Sequence, residues 1–452
     1  MDPGRYARPV QRTRWIELGG FVAAFALVHA VLWWLTWTSA NLPLGDVTIT
    51  YRRWIETGHS AHFWVGIDGE WVYPILAIVP MAAAALGGTP SIATGWMLLM
   101  VLLDAVACAF LWRFRVGVPM RSRPVGRTAP GVRVVWWWLV FLLALGPIAL
   151  GRIDTVATVL ALIGVAFVVT RPAVASALFT AGAWTKVWPA ALVAVLLLLR
   201  RGHRGPVLTG ALVVTGLIVL VDVLWGGAPY LLSFVTEQTG RGLQIEAPLA
   251  TPFLWAAAAG ASGAAVFYDQ DILTFGVSGA GTHLAAAVST PLMAVVVLAG
   301  VALALWAAHR GARRVELAPV LALLFVAALI ATNKVGSPQY IGWFAVPVVW
   351  GLVAGSPSAR RFVPVAIAAL PTAVLTQLVY PGFYDQVLTL QPWILVVLTV
   401  RNALEVAALV WAVVVLVRMG LRGPDVAVVP GRRVGARGPG AVDARGDGSL
   451  AR

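Results

Sequence analysis

Charge is what this chain has least of. Only 12% of its 452 residues are Asp, Glu, Lys or Arg and 60% are hydrophobic, where soluble domains carry roughly 25% charged residues. With a mean hydropathy of +0.85, that shortage excludes a water-soluble globular class. Cysteine is nearly absent too. Cys108, alone in an apolar run, excludes an intrachain disulfide and a cysteine-rich metal site. His59 and His62 lack further ligand-spaced partners, so zinc is not expected, and no carboxylate cluster or cofactor motif stands elsewhere. No internal repeat is evident, which counts against the repeated halves common in secondary transporters. The charge that is present is lopsided, at a net +14. Its arginines come in short clusters between apolar runs, which reads as a topology signal rather than a nucleic-acid face.

What fills the chain is hydrocarbon-compatible helix. Arg5, Arg8, Arg12 and Arg14 precede an apolar run at 18–37. That run is near the ~20 residues that cross a bilayer and longer than the ~7–15 of a signal-peptide core. It is expected to remain as a first helix that starts in the cytoplasm. Further runs lie at 92–112, 134–150, 155–169, 173–184, 188–199, 207–225, 284–308, 317–332, 341–354, 362–378 and 393–417. Keeping the arginine clusters inside gives a consistent alternation of about 12 spans with both termini cytoplasmic. The expected fold is an all-α polytopic membrane protein. It has a cytoplasmic start (1–16), a transmembrane domain (17–417) and a basic Arg/Gly/Pro-rich tail (418–452) that reads as disordered. The first external loop, 39–90, is expected to hold a short helix at 47–57 and a juxtamembrane helix at 75–86.

Positive-inside discourages basic residues at external span ends. Arg152, Lys186, Arg241 and Lys334 nevertheless fall there, on the same side as Asp46, Asp154, Glu246, Gln339 and Tyr340. Asp46 fits an N-cap, and it fits a general base at a membrane–water boundary. Asp68 and Glu70, flanked by glycine, fit a solvated turn. Arg52 and Arg53 suit lipid headgroups or a substrate phosphate. Arg152 and Asp154 fit a turn-stabilising pair, and Arg241 and Glu246 a salt bridge within one Gly-bounded stretch. Lys186, framed by Trp184 and Trp188, suits a snorkelling residue; with Arg241 and Lys334 it also suits a phosphate that gains charge as it leaves. Asp104, Arg401 and Glu405 lie inside spans, where ionisable groups mark function by default. Arg401 and Glu405, four apart, can pair on one helix face, and Asp104 has no evident partner.

Taken in order, several of these motifs form a pattern: Asp46 followed by Tyr51, Tyr73-Pro74, and Gly151-Arg152-Ile153-Asp154. Lys186 with Pro189, Arg241-Gly242-Leu243-Gln244-Ile245-Glu246, and Lys334 with Ser337, Gln339 and Tyr340 complete it. The chain thereby resembles the GT-C superfamily of polytopic glycosyltransferases, and within it glycosyltransferase family 87, the polyprenyl-phosphate-mannose-dependent α-mannosyltransferases of actinobacteria. The resemblance implies inverting transfer of a sugar, most readily mannose, from a polyprenyl-phosphate donor to a lipid or glycan acceptor. The reaction would take place outside the plasma membrane, without metal or cofactor. It implies Asp46 as catalytic base. Lys186, Arg241, Lys334, Arg152, Tyr51, Glu246, Gln339 and Tyr340 are then expected around the donor phosphate and substrate. The competing expectation is a lipid-linked-sugar flippase or transporter, whose sites sit near the midplane.

Overall fold

The computed structural model describes residues 4–113, 130–237, 240–270 and 272–422. Its helices in chain order are α1 (Gly4–Thr38), α2 (Arg52–Ala61), α3 (Ile78–Ala84), α4 (Ile92–Arg113), α5 (Pro130–Leu145) and α6 (Asp154–Val165). There follow α7 (Pro172–Thr185), α8 (Ala190–Leu199), α9 (Arg204–Leu224), α10 (Ser233–Thr236) and α11 (Thr251–Ala258). After a hairpin of β1 (Ala265–Asp269) and β2 (Thr274–Ser278) come α12 (Thr282–His309), α13 (Arg314–Ala331) and α14 (Ala345–Val353). The last are α15 (Ser356–Gln377), α16 (Tyr384–Leu388) and α17 (Pro392–Arg422).

Among the described residues, 8 helices are long and apolar enough to cross a membrane. Backbone amides and carbonyls must be satisfied within the segment in hydrocarbon, which is why helix dominates. Four of the expected spans are shorter than that: α6, α7, α8 and α14 have 12, 14, 10 and 9 residues, and at 1.5 Å per residue the longest reaches about 21 Å. The central helix is α13, with 83% of its apolar window buried, whereas α9 and α12 are buried over only 17% of theirs and form the periphery.

Side-chain contacts define two ends of the bundle. At one, the Arg200 guanidinium donates to the Val169 carbonyl (3.4 Å) and the Ser176 hydroxyl to the Val207 carbonyl (2.7 Å). Arg361 pairs there with Glu316 (3.6 Å), and Gly420 lies against the Trp306 ring. The arginine clusters at 200–204, 310–314 and 360–361 therefore share this end. At the other end the Asn41 amide donates to the Pro381 carbonyl (3.0 Å) and the Trp96 indole to the Leu150 carbonyl (2.8 Å). Asp46, Arg152, Lys186 and Lys334 lie at that second end.

Local details differ from expectation in physically simple ways. The helix expected at 47–57 begins as a π-helical turn, Asp46–Tyr51, and runs on as α2 through Gly58 to a left-handed stop at His62 (φ 52°). Asp46 is not its N-cap, because Gly45 holds that place without a side-chain cap. The segment expected at 75–86 is helical, as the short apolar run Ile75–Ala84. The stretch after α9 adds the antiparallel hairpin, extended by Gln244, which bridges Gly276. Helix α17 continues past the expected end at 417; residues 423–452 of the tail and the loop arginines Arg115, Arg121, Arg123 and Arg127 lie outside the described residues.

Asp104 does have a partner. His29 of α1 approaches it at 3.1 Å while the Trp138 indole of α5 donates to it at 2.5 Å, tying three spanning helices at mid-depth.

Candidate active site

The site begins where α1 hands over to the π-turn. Asp46 Oδ2 lies 3.1 Å from Arg152 Nε, and the carboxylate is 36% exposed against 10% for its partner. Burying a guanidinium costs several kcal/mol unless its donors are filled. Here three of the other four are taken by the Pro43 carbonyl (2.5 Å), the Gly151 carbonyl (3.0 Å) and the Tyr380 hydroxyl (3.2 Å). Tyr380 in turn donates to the Asn41 carbonyl (2.8 Å). Gly151 is required by this approach, since a β-carbon there would stand 2.6 Å from the Pro43 oxygen. Burial works against the Arg152 charge, but Asp46 and the tyrosines outweigh it, so its pKa is raised. The expected pair with Asp154, two residues along, is not formed.

Asp154 instead opens α6 facing Lys186. Its Oδ2 lies 3.6 Å from Lys186 Nζ, and Oδ1 accepts from the Trp343 indole at 2.9 Å. Lys186 sits 4.7 Å above the Tyr73 ring and 5.8 Å from that of Tyr340. Such cation–ring contacts favour a desolvated ammonium. Burial is the largest single influence and would lower its pKa, but Asp154, Tyr73 and Tyr340 together outweigh it, so the pKa is raised. Tyr51, fully buried, receives the Ile153 amide on its hydroxyl (3.2 Å) and stacks on Trp54, joining the Asp46 turn to the start of α6. Gln339 lines a cavity of about 10 Å³ with Asp154, Thr155 and Trp138, room for about one water.

Arg241 and Lys334 complete the cationic side. The Gln244 amide donates to the Lys334 carbonyl (3.0 Å), placing the two segments side by side. Arg241 lies within electrostatic range of Lys186, Lys334 and Tyr340. Its Nε is buried without a hydrogen-bond partner among the described residues. Burial first, and then the Arg241 charge, lower the Lys334 pKa; burial raises that of Tyr340.

Glu246 does not pair with Arg241 as its place in the sequence suggested. It belongs to Arg401, which donates to Glu246 Oε2 at 2.7 Å and to its backbone oxygen at 2.6 Å. The i, i+4 contact of Arg401 with Glu405 is also present, at 3.3 Å, so this pair does not merely neutralise itself. Of the remaining candidates, Arg52 is engaged by Glu56 (2.7 Å) and Asp68 accepts from the Trp64 amide (2.7 Å). His59 packs its ring against Trp64.

Asp46, Arg152, Lys186, Arg241, Lys334, Tyr51, Tyr340 and Gln339 thus form one connected neighbourhood. Sequence reasoning missed Tyr380 and Trp343, which bond Arg152 and Asp154, and Asn41, which holds Tyr380 in place; aromatic residues beside proline at span ends, as in Tyr380-Pro381, were the available signal. Among the described residues no three His, Cys, Asp or Glu side chains converge as metal ligands. Comparison of the chain with known protein families, curated proteins and solved structures found no match.

Proposed function

We propose that the chain is an inverting hexosyltransferase of GT-C type, resembling glycosyltransferase family 87. On this reading it moves mannose from a polyprenyl-phosphate donor to a lipid or glycan acceptor of the cell envelope. The observation that carries this reading is the convergence of cations on a partly exposed carboxylate at one end of the bundle. Arg152, Lys186, Arg241 and Lys334 meet Asp46 and Asp154 there, while Glu246 is held by Arg401. A cluster of cations beside a partly exposed carboxylate suits a phosphate leaving group next to a general base.

The arginine clusters at the opposite end support an extracytoplasmic site under the positive-inside rule. Helix α1 ends at the site and α17 ends away from it, which on the same rule leaves both termini in the cytoplasm of a plasma-membrane protein. The four short helices, with their flanking turns, would then complete about 12 passes of a bilayer thinned or bridged at those positions.

In the reaction, Asp46 takes the proton of the acceptor hydroxyl as that oxygen bonds to the anomeric carbon. Attack comes from the face opposite the phosphate. The bond between the anomeric carbon and the phosphate oxygen breaks, and polyprenyl phosphate departs with the electron pair. Its added negative charge falls to Lys186, Arg241 and Lys334, preorganised donors in a partly desolvated site. Arg152 orients the Asp46 carboxylate, and Tyr51, Tyr340 and Gln339 shape the neighbourhood.

The test is Asp46→Asn in a purified transfer assay with thermal unfolding measured alongside. The expected outcome is an intact fold and a rate lowered about 10²–10⁴-fold, the usual worth of a general base. Turnover within a few-fold of wild type removes Asp46 from this role.

A further inference from the structure

Arg401 is a costly residue to keep. It stands roughly three turns into the spanning helix α17, 2% exposed, where an unpaired guanidinium is strongly disfavoured. Its partners are unusual for a packing ion pair. Nη1 and Nη2 grip the side chain and the backbone oxygen of Glu246, Nε and Nη2 also donate to Asn402 Oδ1 (3.0 and 2.7 Å), and Glu405 lies 3.3 Å from Nε. Asn402 then donates to Thr251 at 2.9 Å, anchoring the chain just beyond Glu246.

Glu246 is no random partner. It closes the strand-like stretch that begins at Arg241, bonds β2 through Leu243 and Ile245, and meets Lys334 through Gln244. Arg152 lies within electrostatic range of the Glu246 carboxylate. Released from α17, that carboxylate would join Asp46 and Asp154 beside the cations of the site, starting with Arg152, and would compete with a phosphate for them.

We propose that Arg401 is a positioning residue that withholds Glu246 from these cations and so keeps the site open to a phosphate monoester. The inference rests on the phosphate-binding reading above and opposes a direct substrate role for Glu246. Arg401, wholly enclosed, does not touch ligand itself.

The test uses farnesyl phosphate, a short isoprenyl monophosphate, titrated calorimetrically into purified full-length protein, with thermal unfolding recorded for every variant. Glu246→Gln should bind within about twofold of wild type, and Arg401→Met about tenfold more weakly, a change of roughly 1.4 kcal/mol. Removing the freed carboxylate in the Arg401→Met, Glu246→Gln double variant should bring affinity back to within about threefold of wild type, a non-additivity expected of coupled charges.

A merely structural Arg401 predicts a double variant as weak as the single one, and that result overturns the proposal. A tenfold loss in Glu246→Gln alone overturns it as well, and this arm stands even if Arg401→Met fails to fold. Absence of binding by the wild type would instead sink the phosphate reading itself, a result separable from either.

Discussion

Lys186 shows how a single buried charge is kept in this fold. It is a lysine whose burial is offset by Asp154 and by two tyrosine faces, so its pKa stands above the ordinary lysine value. A raised folded-state pKa means that its contribution to stability is fully present below the unfolded value, about 10.4, and is lost only as pH climbs through the folded one. Lys186→Met should therefore lower stability by about 3 kcal/mol, as breaking a buried pair does. In thermal unfolding, the gap from wild type should stay constant between about pH 6 and 9. A gap that closes within that window would show that Lys186 loses its proton there, and that it cannot serve as a standing cation.

At the scale of elements, the site depends on two unconnected segments lying flush, the stretch at 241–247 and the turn after α13. Gly336 makes this possible, because a β-carbon there would stand 2.1 Å from the Ala247 nitrogen. Gly336→Ala must push the two apart. We expect a loss of about 1–3 kcal/mol from overpacking and, in the transfer assay, a raised KM for the lipid donor as Arg241 and Lys334 separate. An unchanged KM would place those two cations outside the donor site. Helix positions were legible because apolar runs bounded by arginine carry both length and direction; the run at 284–308 and helix α12 differ only at their ends. Pairing was not legible. Arg152 lies two residues from Asp154 yet takes Asp46, and Arg401 lies four from Glu405 yet grips Glu246 as well. Local spacing measures neighbours along the chain, whereas these partners are set by which helix ends meet. The hairpin was not legible because β1 and β2 have only five residues each. His29 carries no local signal and Asp104 no local partner, because their contact joins α1 to α4 across the bundle.

The molecule as a whole separates its charges, with arginine clusters at one end and the mixed-sign site at the other. That separation is testable without any assay of activity. In a background with Cys108 replaced by alanine, exposed single sites are introduced by Glu70→Cys and Ser262→Cys near the site, and by His203→Cys and His309→Cys at the arginine end. A membrane-impermeant maleimide applied to intact cells should label the first two and spare the others until the membrane is opened. Labelling of position 203 or 309 in intact cells would invert the topology and put the site on the cytoplasmic face. The most direct measurement of the central claim remains the chemistry: purified protein, polyprenyl-phosphate-mannose labelled in the sugar, and a membrane-derived glycolipid fraction as acceptor source. The account predicts that label leaves the lipid phosphate for acceptor with inversion at the anomeric carbon, and that polyprenyl phosphate accumulates in equal amount. Label that stays on the polyprenyl phosphate throughout, or that crosses a vesicle membrane still attached to it, would contradict the account.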